Sequence, residues 1–410
     1  MNTTDLTPLP ARPNLEQYKK QAKELARLGR SGDSRAVQRI GKYHPRPSGL
    51  LDAGILSAAF ALADAQLVIA REHGFESWPK LARHVAALAG ESSPVSNFEL
   101  AADAVVTGDA RALEWSLREH PELVKARSTR VHRATLLHYT GANGLENYRQ
   151  KTPRNIVAIA KILLDAGAEV DALADIYGKS TALGLMATSV HPQRAGVQIA
   201  LMETLLEYGA DINGAPGGWN PLISALHNGR AQAAEFLASR GAQLDLEGAA
   251  GVGRLDLVAG FFNNDGSLKA HATGPQMEAG FLWACEYGRN NVVDFLLKSV
   301  DLRAQRNTGL TGLHWAVVGG QLDTIGLLLE HGAPLEARNV HGATALGQAL
   351  WCAVNGEPEI DYVPIIETLA GAGAEIDDGS LAWLARQEGR AAFTKARIAE
   401  ALRRHRNEPH

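Results

Sequence analysis

The chain has 410 residues, 45% of them hydrophobic and 21% charged, a balance that excludes wholesale disorder. Lys and Arg number 41 against 45 Asp and Glu, for a formal net charge of −4, so no global basic footprint for nucleic acid is present. Two cysteines, Cys285 and Cys352, cannot build a disulfide framework and fit a reducing, cytoplasmic setting.

In chain order, Met1 to Pro10 has neither the basic nor the apolar region of a signal peptide, and residues 1–12 are expected to be flexible. Leu15, Tyr18, Ala22, Leu25 and Leu28 recur at helical spacing, and Leu62, Ala65, Leu67, Ile69 and Ala70 continue the apolar pattern. Ser77 ahead of Pro79 marks a further helix start. These features predict a small helical module over 13–90, followed by a polar linker from Gly90 to Ser96. No run reaches the roughly 18–20 apolar residues of a membrane-spanning helix, so no membrane partner is expected.

From about residue 97 a repeat takes over. Leu-Leu-Asp-Ala-Gly-Ala ends at Ala168, and versions of it end at Ala210, Ala242, Ala333 and Ala374. Each glycine falls where a helix ends and a left-handed residue is needed. The other half of the unit is clearest at Thr311-Gly-Leu-His-Trp-Ala-Val-Val-Gly-Gly320, with Leu313 and Leu346 33 positions apart. Related stretches begin at Thr135, Thr181, Asn220, Ala279 and Thr344, and a weaker one spans Leu100 to Gly108.

This pattern resembles the ankyrin repeat, Thr-Pro-Leu-His-x-Ala with a period of about 33 residues. The resemblance implies an all-α ankyrin-repeat α-solenoid. About eight helix-pair units with short β-turn fingers would occupy 97–379. Residues 380–410 would form a C-terminal helical cap and tail, with Leu381, Leu384, Ile398 and Leu402 inward and Arg403, Arg404 and Arg406 in water. The segment 13–90 is similar to the helical region that precedes the repeats in bacterial ankyrin proteins, which implies no activity. The family binds protein partners through a concave face made of the fingers and first helices.

Departures from the repeat carry the specific information. Gly320 and Gly332 are 12 apart, but Gly144 and Gly167 are 23 apart, so about 11 residues are inserted near Leu145–Asn155. Shorter insertions fall near His191–Gly196 and Asn355–Tyr362. All three belong to the connection between paired helices. Conversely, Gly229 and Gly253 are only 24 apart, so a finger is nearly lost, and Lys298–Asp301 lacks the Gly-Ala end. Two variable, exposed positions precede each first-helix glycine, among them Ala142 and Asn143, Thr188 and Ser189, His227 and Asn228, Glu286 and Tyr287, and Trp351 and Cys352.

Most of the chemistry-bearing residues have a packing role open to them. His138 and His314 occupy the repeat's own histidine position and are expected to be structural. Cys285 and Cys352 are expected in the core, and Trp283 and Trp315, at equivalent positions, as a stacked pair. No His-Glu-x-x-His, dinucleotide fingerprint or Gly-x-Ser-x-Gly elbow occurs, so neither metal nor cofactor is expected and the balance is against an enzyme without deciding it. The expected function is a non-catalytic scaffold for an unidentified protein partner. The alternative is a pocket for a polar small molecule or peptide, with catalysis left open, between the 145–155 and 190–196 insertions. Candidate binding residues are Asn143, Glu146, Tyr148, Arg149, His191, His227, Asn228, Glu286, Tyr287 and Trp351. The insert is expected to be dispensable for folding.

Overall fold

The computed structural model describes residues 6–10, 12–45, 60–90, 93–305, 309–387 and 391–406. Parts of the expected flexible N-terminus, linker and C-terminal tail therefore lie outside the described residues, as do the side chains at 391–394 and at 405–406, Arg406 included. The described residues form helices and turns; their only β-bridges are isolated ones, Ala174 with Ser180 and Phe262 with Leu268. The chain divides into two compact units, Met1–Asn228 and Gly229–His410.

The first unit begins with α1 (Leu15–Arg30), α2 (Ser34–Tyr43), α3 (Leu62–Glu72) and α4 (Trp78–Leu88). Asn14 and Asp33 cap α1 and α2 through their side chains. Tyr18, Leu25, Ile40, Val68, Ile69, Leu81 and Val85 share one core, because their helical spacing puts them on facing stripes, and Phe60 and Phe75 enter it from the connections. Next come α5 (Pro94–Thr107), α6 (Ala110–Glu119), α7 (Leu136–Tyr139), α8 (Ile156–Asp165), α9 (Ala182–Thr188), α10 (Val190–Arg194), α11 (Gln198–Glu207) and α12 (Pro221–His227). Packing follows the repeat: α5, α7, α9 and α12 contact in succession as one layer, and α6, α8 and α11 as another.

The second unit holds α13 (Ala231–Ser239), α14 (Leu246–Gly251), α15 (Leu255–Gly260), α16 (Gly274–Glu286), α17 (Asn290–Leu296), α18 (Gly312–Val318), α19 (Leu322–Glu330), α20 (Ala345–Asn355), α21 (Val363–Gly371), α22 (Asp378–Arg386) and α23 (Ala391–Arg406). Here α14, α16, α18 and α20 stack in order, as do α15, α17, α19 and α21. Leu384, Ile398 and Leu402 are buried in the same core as Leu313, Leu346 and Leu369. Small residues allow the layers to approach: a Cβ on Gly319 would sit 1.8 Å from the Glu286 carbonyl oxygen.

The insertions lie between paired helices. Residues 140–155 join α7 to α8 and include a 3-10 turn at Asn147–Arg149, whereas α18 and α19 are joined by 319–321 alone. The nearly lost finger is visible as well: residues 240–245 link α13 to α14, against 331–344 between α19 and α20.

The repeat histidines explain how one unit fixes the next. His138 Nδ1 accepts from Thr135 N at 3.2 Å, and its Nε2 lies 3.3 Å from the Ser180 carbonyl of the following finger. His314 repeats the arrangement with Thr311 and the Ala343 carbonyl. With Nδ1 accepting a backbone N–H, the proton belongs on Nε2, which donates to the carbonyl.

Candidate interaction surface

The finger between α8 and α9 closes where Ala174 N donates to Ser180 O at 2.9 Å and Ser180 N returns to Ala174 O at 3.2 Å. Inside it, Tyr177 and Gly178 are both left-handed, with φ of 50° and 97°. Glycine takes this conformation freely, whereas a bulky side chain there is an outlier costing about 1–3 kcal/mol. The Tyr177 hydroxyl donates to Asn143 Oδ1 at 3.1 Å, and Asn143 Nδ2 donates to Thr188 Oγ1 at 2.8 Å. Asn143 follows Ala142, whose φ is 48°. Among the described residues three non-glycines have positive φ, and two of them, Ala142 and Tyr177, flank this one hydrogen bond.

The following finger brings Trp219. Its backbone N donates to Lys179 O at 3.2 Å, and its indole covers Gly178 so closely that a Cβ there would lie 2.9 Å from Nε1. Tyr177 is 58% exposed and Trp219 55% exposed, so both rings stand in solvent although their backbones are fixed. Together with Asn143, Thr188, Ser224, His227 and Asn228 they line a hollow of about 210 Å³. Three of the sequence-derived candidates, Asn143, His227 and Asn228, thus meet at one place. No residue of 145–155 or 190–196 lines this hollow.

The insert goes elsewhere. Glu146 is fully buried and Arg149 nearly so. Arg149 donates from Nη1 to Glu99 Oε2 at 2.7 Å and from Nε to Asp103 Oδ1 at 2.8 Å. Arg130 donates to both Glu99 oxygens and to the Tyr148 hydroxyl, and forms an ion pair with Glu146. Burial acts to raise the Glu146 carboxyl, but Arg130, His132 and Arg149 outweigh it and hold it below the usual carboxylate range. Glu99 is lowered in the same way by Arg130 and Arg149, again against burial. Buried charges of this kind demand partners. The expectation of an insert that packing does not require therefore meets a difference: this one is anchored on α5 by carboxylates that are 46 and 50 residues away in sequence. Tyr148 keeps part of its surface open, and half-buried His191 lies on α10 next to Arg194.

In the second unit Glu286 is buried, and its Oε2 has no hydrogen-bond partner among the described residues. Burial pushes its carboxyl up to about 8, against the opposing effects of Tyr287 and Arg230. Several positions expected to be exposed are buried, namely Ala142 in the connection after α7, and Ser189, Glu286 and Cys352 at or near helix ends that pack into their units. Trp351 is 50% exposed and lines a hollow of about 780 Å³ with Arg338, Asn339, Gln348, Asp377 and Trp383. Asn339 shapes its rim by accepting from His341 N and Ala343 N and donating to Gln348. Trp283 and Trp315 meet edge to face at 5.2 Å, with Trp283 Nε1 donating to Glu247 at 2.8 Å, as a core pair.

Sequence reasoning missed Tyr177, Trp219 and Trp383. A signal existed for the first: Tyr-Gly stands in a finger where Asn-Gly or Asp-Gly is the ordinary turn pair.

Two family models match the chain, both described as ankyrin repeats, one (many copies) over residues 198–238 and one (3 copies) over 281–379. Palmitoyltransferase AKR1 of Lachancea kluyveri is 25% identical over 212 residues, which are 48% of this chain and 28% of the relative. Putative palmitoyltransferase ZDHHC13 of Danio rerio is 28% identical over 239 residues, 57% of this chain and 30% of the relative. The chain thus spans less than a third of the length of these curated relatives. The crystal structure of the human ASB11 ankyrin repeat domain aligns with 70% of this chain and 100% of its own, at 21% identity and a TM-score of 0.36.

Proposed function

The chain is an all-α ankyrin-repeat protein, and from that premise we infer that it works as a non-catalytic scaffold that holds a protein partner on its fingers and first helices. The observation that carries this reading is the hollow where Tyr177 and Trp219 stand exposed above Asn143, Thr188, His227 and Asn228. Exposed aromatic rings on a fixed backbone are the usual anchors of a protein interface, since they bring large contact area at little entropic cost. The hollow is lined by no Asp, Glu, Lys or Arg, and its titratable groups are Tyr177 and His227 alone, which supports recognition over chemistry. Of the insert, Tyr148 is the residue we assign to the partner-facing surface, and Trp351 serves the same purpose in the second unit.

Among the described residues no helix is long and apolar enough to cross a membrane. We place the protein in the cytoplasm, where its two buried free thiols are stable. Palmitoyl transfer belongs to the names of the longer relatives and enters no step of this reading.

The test is selection of protein fragments from a displayed library by the full chain, followed by binding measurements with a Trp219→Ala, Trp351→Ala double variant. A variant that stays folded and binds the selected fragments as well as the wild type rejects the reading. A second reading rests on the larger hollow beside Trp351, whose 780 Å³ falls in the roughly 300–1,000 Å³ range of small-molecule sites. Native mass spectrometry of the purified protein checks it: a co-purifying polar compound lost in Trp351→Ala and Gln348→Ala supports it, and bare protein counts against it.

A further inference from the structure

We propose that the hollow between the two fingers of the first unit is a proline pocket, which takes one proline of an extended, polyproline-type segment of the partner. The proposal rests on the scaffold reading above and names the chemistry of what is bound.

Size comes first. At about 210 Å³ the hollow is smaller than the roughly 300–1,000 Å³ of sites that enclose a whole ligand. It has room for one residue of a chain that continues outside.

Charge comes next. With no Asp, Glu, Lys or Arg in the lining, a charged anchor would lose its hydration without gaining a permanent counter-ion. The anchor is therefore neutral.

Shape selects among the neutral residues. The walls are two aromatic rings, and both are held. Tyr177 is fixed by its hydrogen bond to Asn143 and by a left-handed backbone that a tyrosine does not adopt without cost. Trp219 is fixed over Gly178, where no Cβ fits. Aromatic-walled grooves of this kind accept polyproline II segments, whose proline rings are compact and whose backbone is already ordered before binding. A long aliphatic anchor matches the walls and the buried Leu185 but leaves the Ser224 hydroxyl unanswered.

The floor supplies the last point. Ser224 is nine-tenths buried, and its hydroxyl has no hydrogen-bond partner among the described residues. A buried polar group left without a partner calls for one. The carbonyl that precedes a proline is an acceptor without a neighbouring N–H on the ring, and it satisfies a hydroxyl donor while asking for no acceptor in return.

The experiment uses the full chain to select from a displayed library of random peptides, with selected sequences remade as fluorescent peptides and titrated. The expected result is a proline enriched at one position, whose replacement by alanine weakens binding at least about tenfold. Trp219→Ala and Tyr177→Phe lower affinity for the same peptides by a similar factor, and Trp115→Ala, at an exposed ring of α6 outside the hollow, does not. Circular dichroism confirms that each variant is folded. Ser224→Ala adds a readout specific to the floor and weakens binding without changing the selected sequence. Peptides without proline that still need Trp219 overturn the pocket assignment and leave the scaffold standing. Proline peptides that bind Trp219→Ala unchanged overturn it too, and a library that yields no binder removes both.

Discussion

Arg149 and Glu99 are fifty residues apart in sequence and meet at 2.7 Å inside the first unit, with Arg130 joining the same carboxylate. This pair fastens the long connection between α7 and α8 to α5. Removing one partner of a buried pair leaves a charge without compensation, at a cost of about 3–5 kcal/mol. Arg149→Met is therefore expected to lower the unfolding free energy of the first unit by that amount in urea titrations. A loss below about 1 kcal/mol would make the cluster a surface ornament.

The pH dependence of stability should differ in sign between particular groups. Burial pushes His84 and His138 down to about 4 in the folded chain. The unfolded chain then binds more protons than the folded one between about pH 6.5 and 4, so both residues withdraw stability as pH falls through that window. Glu99 and Glu146 are held below the ordinary range, so their contribution is complete above about pH 4.5 and is lost on further acidification.

Glu286 runs the other way. Its folded-state carboxyl is pushed up to about 8, so its protonated form favours the folded chain, and that contribution is lost as pH rises from about 4.5 through 8. Glu286→Gln keeps a neutral side chain at every pH. Thermal unfolding of the two proteins should coincide near pH 4 and diverge above it, with the variant the more stable by on the order of a few kcal/mol at pH 8. Parallel curves across that range would show that Glu286 is ionised in the folded state.

His314 links Thr311 to the Ala343 carbonyl of the next finger. His314→Ala should cost roughly 1–3 kcal/mol, the price of a buried hydrogen bond lost with its packing. Loss of partner binding with an unchanged melting curve would contradict this structural role.

Gly319→Ala tests the close approach of α18 and α16. The added methyl has a backbone carbonyl 1.8 Å away, which no rotamer change relieves. Overpacking of this kind costs about 1–3 kcal/mol or more. An alanine variant as stable as the wild type, measured by chemical denaturation, would place the two helices further apart.

The repeat was legible because it is local: a threonine, a histidine three positions later and a glycine at the helix end recur whether or not any partner is known. The same locality identified His138 and His314 as structural and placed the insertions between paired helices. Asn143, His227 and Asn228 were found because they precede a marked glycine. The charge cluster was not legible, since Glu99, Arg130 and Arg149 have no common spacing and acquire their meaning only when α5 and the insert are stacked. Tyr177 and Trp219 were missed for a related reason. Finger residues vary freely, and an exposed ring on one of them differs from a decorative one only by the hydrogen bond or the glycine beneath it.

The two cysteines of the chain, Cys285 on α16 and Cys352 on α20, are both buried in the second unit, and burial raises both thiols. A thiol that is neither exposed nor ionised is inert to alkylating reagents until the helices around it separate. The chain therefore carries two natural clocks for the opening of its second unit and none for its first. The rate at which a reagent titrates Cys285 relative to Cys352 reports the order in which neighbouring repeats come apart, with no label added to the protein.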